Sequence, residues 1–81
     1  MHVLILGSAA GGGLPQWNCR CPICSLARED ETRVRPRTQS SIAVSPDGER
    51  WLLVNASPDL RQQLFDNPAM HPRTGLRHSP I

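Results

Sequence analysis

The sequence has no lysine, only three aromatic residues and no long apolar run. The missing apolar run leaves no candidate membrane span. The opening residues MHVLIL also lack the basic leader and cleavage site of a signal peptide. All nine basic residues are arginine, scattered among seven acidic residues without interleaved aromatics, which gives little support for nucleic-acid binding. We therefore expect a soluble, cytoplasmic protein with neither a nucleic-acid partner nor a membrane span.

Material for a hydrophobic core is also scarce. Hydrophobic residues make up 38% of the 81 positions, and eight prolines and six glycines interrupt them. A chain this short buries a modest fraction of its surface and usually needs a metal, disulfides or a partner to stay folded. Alternatively, the chain is part of a larger domain, and this is the interpretation that we prefer.

The first half of the chain predicts one strand followed by loops. Residues 3–6 form a short branched apolar run that predicts a buried strand, and residues 7–13 form a glycine loop directly after it. Residues 14–25 predict a loop that contains all the cysteines. Residues 26–38 are polar without a clear apolar period, which predicts a short helical start and then a loop.

The second half predicts a hairpin and a helix. Residues 39–45 and 50–55 are predicted as strands around an Asp-Gly turn, the second apolar enough to be buried on both faces. Ser57 is predicted as the helix cap, with Pro58 at the first helical position and Asp59 at the positive helix end. Asn67-Pro68 then ends this helix. Ile81 follows Pro80 as if another strand began there.

Cys19, Cys21 and Cys24 form the pattern C-x-C-x-x-C, the strongest chemical signal in the chain. Three thiols this close together favour one soft metal ion, and tetrahedral zinc is the preferred choice. A disulfide is disfavoured by the odd count, and a thioredoxin-like pair by the extra cysteine. An iron–sulfur cluster lacks a fourth cysteine. We also expect the indole of Trp17 to shield one side of the cluster.

A structural zinc site has four ligands, so the three cysteines leave one position open. The histidines of the chain are His2, His71 and His78. Each is better interpreted as an ordinary surface histidine. We therefore expect the fourth ligand to lie beyond Ile81.

Two loops resemble ligand-binding elements but have simpler explanations. The glycine loop matches neither the phosphate-loop nor the dinucleotide-binding pattern, although its backbone amides allow an anion nest. We favour the interpretation that this loop provides tight turns and close packing beside the cysteine segment. Residues 55–59 follow a strand and precede a helix, a position that often faces a ligand crevice. Helix capping is the preferred interpretation there.

Four segments together resemble the opening of one protein family. They are GSAAGGGLPQWNCRCPIC, RPRTQSSIAVSPDGERW, NASPDLRQQL and LRHSPI, and they cover nearly all of the chain in register. They resemble the coenzyme PQQ biosynthesis protein B (PqqB) family, where PQQ is pyrroloquinoline quinone. Members of this family run to roughly 300 residues, a size that suits one large domain.

The resemblance implies an α/β fold, namely the N-terminal part of a metallo-β-lactamase αβ/βα sandwich. Residues 1–81 would be an incomplete N-terminal segment of a single metallo-β-lactamase-like domain. The resemblance also implies a structural zinc on Cys19, Cys21 and Cys24, with a histidine near the far end of the full protein as fourth ligand. A catalytic metal, iron or zinc, would belong only to the intact protein, since its ligands follow the next strand. No catalytic residue is therefore assigned here.

For function, the resemblance implies a metal-dependent enzyme of PQQ biosynthesis that hydroxylates the tyrosine of the peptide-derived precursor. Its partners would be that precursor or other proteins of the pathway. One alternative is a carrier that helps PQQ or its precursor reach the periplasm. A third is a small zinc-binding module that recognises another protein. Fold alone does not decide between these functions. The 81 residues by themselves are expected to be catalytically inactive.

Overall fold

The structure is a computed structural model that describes all 81 residues. Its elements, in chain order, are strand β1 (His2–Gly7), helix α1 (Pro22–Glu29), strands β2 (Ser41–Ser45) and β3 (Leu52–Val54), and helix α2 (Leu60–Asp66). A short 3-10 helix, Pro68–Met70, follows α2. No helix has the length and apolar character needed to cross a membrane.

The three strands form one antiparallel sheet in the order β1-β2-β3. Val3 pairs with Val44, which pairs with Leu52 on its other side, so the three lie in one row across the sheet. The hairpin turn between β2 and β3 contains Gly48 at φ +80, the left-handed conformation that the Asp-Gly pair predicts. The predicted strand, hairpin and helix are therefore confirmed, each with slightly different ends.

One face of the sheet carries the hydrophobic core. Four buried residues form its centre, and four partly buried residues pack against them: Leu6, Ala43, Trp51 and Met70, then Leu4, Leu53, Leu64 and Ala69. The second group includes a residue of α2, and the first includes one of the 3-10 helix. These two short helices therefore cover this face of the sheet.

The opposite face of the sheet is apolar and uncovered. We call it the open face; it consists of two cross-strand rows, Val3-Val44-Leu52 and Ile5-Ile42-Val54. Leu52 is 65% exposed and Ile5 67% exposed. The predictions that β1 is a buried strand and that β3 is buried on both faces were therefore wrong for this chain. Side chains alternate between the two faces of a strand, and the residues described here cover only one face.

The predicted cysteine loop is shorter than expected because α1 begins inside it. Pro22 occupies the first turn of α1, and Cys21 is its N-cap residue. Proline favours the first helical turn because its missing N–H would be unpaired there. The helix therefore begins at Pro22, four residues before the helical start that the sequence predicted.

Helix α2 begins later than predicted. Its N-cap is Asp59, whose side chain makes no capping hydrogen bond. The Ser57 hydroxyl accepts from the Asp59 N–H at 3.1 Å, in the turn before the helix. Ser57 and Pro58 therefore form the approach to the helix instead of its cap and first residue. As predicted, α2 ends before Asn67-Pro68.

Candidate metal centre

Two of the three cysteines are positioned by the start of α1. The Cys21 sulfur accepts from the backbone N–H of Cys24 at 3.3 Å, so the thiol takes the place of the hydroxyl or carboxylate that usually caps a helix. The Ser25 N–H bonds to the Cys21 carbonyl at 2.9 Å and closes the first helical turn. The C-x-x-C spacing therefore holds both thiols at one helix end.

The third thiol comes from the loop before the helix. The Cys19 N–H bonds to the Gln16 carbonyl at 3.0 Å, which folds residues 16–19 into a turn. The Cys19 sulfur accepts from the Cys21 N–H at 3.5 Å. Loop and helix together bring the three predicted ligands to one place.

The three sulfur atoms lie within 4.8 Å of one another, and no disulfide joins them. In a tetrahedral site with zinc–sulfur bonds of about 2.3 Å, sulfur atoms lie about 3.8 Å apart. Sulfur atoms within 4.8 Å of one another need at most small side-chain movements to reach this spacing. Cys24 is buried, Cys19 is half-buried and Cys21 is exposed, so the cluster is open to solvent on one side. The donor set and its spacing fit zinc.

The hydrogen bonds at the helix start make the thiols unequal acids. The Cys24 backbone N–H, helped by the thiols of Cys24 and Cys19, lowers the pKa of Cys21 to about 7. For Cys24, a backbone hydrogen bond from Gln16 favours the thiolate. Burial and the neighbouring thiols oppose it, and the net effect raises the pKa of Cys24. Cys21 is therefore the first of these two thiols to ionise, and a metal entering near neutral pH displaces the proton of Cys24.

Arg28 holds the cysteine loop against the helix, a role that was not predicted from the sequence. Its guanidinium donates to the carbonyls of Cys19 and Gln16, each at 2.6 Å, and to that of Trp17 at 3.3 Å. In the sequence, the nine arginines are scattered and none stands out. The only available signal was the spacing, since Arg28 follows Cys24 by four residues and thus shares its helix face.

The other candidate residues lie apart from the cluster. Trp17 is 84% exposed, so the expected shielding by its indole was wrong. The three cysteines form the cluster without any histidine. His2 packs edge-on against Trp51, and His71 Nε2 lies 2.7 Å from the Phe65 carbonyl oxygen. A fourth ligand outside the 81 residues stays a prediction.

The glycine loop is packed against residues 37–40, whereas the preferred interpretation expected close packing beside the cysteine segment. The N–H groups of Ser8 and Ala9 both bond to the Thr38 carbonyl, and Leu14 exchanges two backbone hydrogen bonds with Arg37. Gly12 and Gly13 adopt positive φ angles of 95 and 75. Since several of its amides already have backbone partners, this loop serves close packing.

The turn at residues 55–59 has a role that the sequence did not show. Asn55 adopts a positive φ of 65, and its side-chain amide donates to the Ser40 carbonyl at 2.6 Å. The Asp59 carboxylate accepts from the backbone N–H of Gln39 at 2.9 Å. Both side chains thus tie this turn to the start of β2, and the predicted stabilisation of the helix end by Asp59 is replaced by this contact.

No family model matches the sequence. Curated relatives match it over all 81 residues. The chain is 83% identical to coenzyme PQQ synthesis protein B of Methylobacterium radiotolerans and 82% identical to that of Methylorubrum extorquens strain PA1. It is 59% identical to the Rhizobium meliloti protein of that name. The chain spans only 27% of the length of the first two relatives and 26% of the third.

A solved structure gives the same result. The chain superposes with a TM-score of 0.94 and 81% identity on Zn(2+)-bound PqqB from Methylobacterium extorquens, covering all of this chain and 27% of that one. The predicted resemblance is confirmed: the 81 residues correspond to the N-terminal part of a PqqB sequence. The predicted fold class, the N-terminal part of a metallo-β-lactamase sandwich, is confirmed with it.

Proposed function

We propose that the protein carrying this chain takes part in PQQ biosynthesis in the cytoplasm, and that the chain itself contributes a structural zinc site. The observation that supports the first part is the identity of up to 83% with coenzyme PQQ synthesis protein B. Because the chain spans 27% of that relative, the function is proposed for the whole gene product.

The zinc site proposed for this chain consists of Cys19, Cys21 and Cys24. It is supported by three sulfur atoms within 4.8 Å and by the backbone N–H groups that already point at two of them. Zinc held by thiolates links the loop to the helix and contributes directly to folding. The chain has no other group of three or more metal-ligating side chains, so we expect no metal-dependent turnover from these residues alone.

We also propose that residues 1–81 are one segment of a single larger domain. The open face supports this, since its two rows of branched apolar side chains are exposed on β1 and β3 and half-buried on β2. An apolar sheet face is stable in water only when another layer packs on it. The remaining length of the curated relatives is ample to supply that layer and the fourth zinc ligand.

The finer step that we propose is hydroxylation of the tyrosine in the peptide-derived precursor, at a metal site outside these residues. Deleting the gene in the organism that carries it tests this, with PQQ and its precursors measured by mass spectrometry inside and outside the cells. If the gene product is this enzyme, the deletion strain should lose PQQ and accumulate a precursor whose tyrosine lacks the added hydroxylation. Normal PQQ production in the deletion strain would refute a biosynthetic function.

The same experiment distinguishes the carrier alternative. A carrier predicts that complete PQQ forms and stays inside the deletion cells. No contact in the structure favours a carrier, and none favours a separate interaction module.

The zinc site is tested separately by metal analysis of the purified full-length gene product. We expect Cys19→Ser and Cys24→Ser to lose the bound structural zinc, because each removes one of three thiolates. Ser40→Ala is the control, since Ser40 is an exposed residue just before β2 and does not belong to the cysteine cluster. Full zinc content in both cysteine variants would show that the site is wrongly placed.

A further inference from the structure

We propose that Arg28 is the positioning residue of the cysteine site: it fixes the Cys19 loop on helix α1 and so pre-organises the three thiols for zinc. The proposal rests on the zinc site proposed above. It assigns no ligand to Arg28, whose contacts are all with backbone carbonyls of residues 16–19.

The three thiols do not belong to one rigid element. Cys21 and Cys24 are fixed relative to each other by the first turn of α1. Cys19 lies before the helix. Apart from Arg28, two longer side-chain hydrogen bonds link this loop to the start of the helix: the Cys21 N–H donates to the Cys19 sulfur at 3.5 Å, and the Ser25 hydroxyl donates to the Arg20 carbonyl at 3.2 Å. The position of Cys19 relative to the other two thiols therefore depends on what holds the loop.

Arg28 holds this loop from the last turn of the same helix. Its two terminal nitrogens reach the Cys19 and Gln16 carbonyls at 2.6 Å, and one of them also reaches Trp17. A planar guanidinium donates in several fixed directions at once, which a flexible ammonium does not reproduce. The hydrogen bonds of Arg28 thus join the backbone of Cys19 to the helix whose start positions Cys21 and Cys24.

The helical spacing relates Arg28 to the cysteine that lies within α1. Arg28 lies four residues after Cys24, so the two share one face of the helix, and Cys21 is the N-cap residue at the start of that helix. A basic side chain in the last turn is also favoured by the helix dipole, which keeps Arg28 on the helix without a carboxylate partner. Its guanidinium is therefore available to donate to the loop carbonyls.

A site whose ligands are held in place before metal binding does not have to order its loop when the metal enters. Residues that hold ligands in this way typically change metal affinity about 10- to 100-fold when they are substituted. We expect Arg28→Gln to lose zinc affinity in this range, because it keeps a helix-forming side chain but removes the charged guanidinium and its N–H donors.

The test uses the full-length gene product, stripped of metal and titrated with zinc against a chromophoric chelator. Arg20→Gln is the matched control, because it removes the same charge between two ligand residues but its guanidinium makes no hydrogen bond. Arg28→Gln should weaken zinc binding about 10- to 100-fold. Arg20→Gln should leave the affinity unchanged, and Arg28→Lys should recover part of the loss.

Two further measurements separate positioning from general stability. In the metal-free state, we expect Arg28→Gln and the unsubstituted protein to have similar circular dichroism. With cobalt(II) in place of zinc, the variant should need more metal to reach the same sulfur-to-cobalt absorption. An unchanged affinity in Arg28→Gln would overturn the proposal. If that variant does not fold, an unchanged affinity in Arg28→Lys would overturn it instead.

The cysteine variants make the two possible failures distinguishable. If Cys19→Ser and Cys24→Ser bind zinc as tightly as the unsubstituted protein, the zinc site itself is wrong. If they lose zinc while Arg28→Gln keeps it, the site stands and only the positioning role of Arg28 is refuted.

Discussion

Gly7 is the position where adding a single methyl group should have the largest effect. It ends β1 at an irregularity in the pairing with β2. A Cβ atom there would collide with the Gln39 carbonyl oxygen and would lie 2.5 Å from Thr38 Oγ1 and 2.6 Å from Gln63 Nε2. Since the Gln39 carbonyl is a backbone group, held by the bridge between Gln39 and Ala9, a side-chain rotation alone cannot relieve the clash.

The expected magnitude follows from what must move. Inserting a methyl group into a closely packed site costs about 1–3 kcal/mol. The same shift strains the hydrogen bonds from Gln63 Nε2 to the Gln39 carbonyl and to Thr38, each worth about 1 kcal/mol. We therefore expect Gly7→Ala to lower the free energy of unfolding by about 3 kcal/mol.

Gly11→Ala is the matched control, because a Cβ at Gly11 would meet no atom within 4 Å and its backbone is not left-handed. Its free energy of unfolding should stay within about 0.5 kcal/mol of the unsubstituted protein. Urea unfolding of the full-length gene product measures both values from the midpoint at constant slope. Equal midpoints for the two variants would refute the argument, since only the contacts at Gly7 distinguish them.

Three further substitutions test other parts of the structure. Gln63 is 1% exposed, so Gln63→Ala should lower the free energy of unfolding by about 2–4 kcal/mol, and Gln63→Met should lower it less because the methionine fills the space. A lower urea midpoint for Gln63→Met than for Gln63→Ala would contradict this. The N–H groups of Glu49 and Arg50 and the Ser45 hydroxyl lower the pKa of Asp47 to about 2, below its unfolded value near 3.9. Its contribution to stability should therefore be complete above pH 4 and disappear as the pH falls towards 2, and an equally steep loss in metal-free Asp47→Asn would argue against it. In thermal unfolding, Leu52→Asn on the open face should destabilise the full-length product but not the isolated 81 residues, whereas Ala43→Asn in the core should destabilise both.

The sequence was sufficient for the elements whose signals are local. The apolar run before Gly7, the Asp-Gly turn and the Asn-Pro pair each act within a few residues, and the structure has a strand, a hairpin and a helix end at these places. It was insufficient where a distant residue competes for a side chain. From the sequence, Asp59 is expected to stabilise the start of a helix. In the structure its carboxylate accepts a hydrogen bond from the Gln39 N–H, and α2 begins only after Asp59.

The candidate metal site shows the same division. The spacing of the three cysteines was enough to predict that their sulfur atoms lie together, because all of them fall within six residues. The start of α1 was not predicted, since a cysteine is an unusual N-cap and the common cap residues are absent there. The role of Arg28 was also missed, because it depends on a loop folding back onto the helix.

Two features of the structure are incomplete in different ways, and one segment of a longer protein would complete both. A structural zinc has four ligands, whereas the chain brings three thiols together. A sheet with apolar side chains on both faces belongs between two layers, whereas the described residues cover only the face around Ala43. Metal binding and burial of the open face are then coupled. If the same larger domain supplies the covering layer and the fourth ligand, covering the sheet positions that ligand, and zinc in turn ties the covering layer to α1. On this argument the isolated 81 residues should bind zinc more weakly than the full-length gene product does, even with all three cysteines intact.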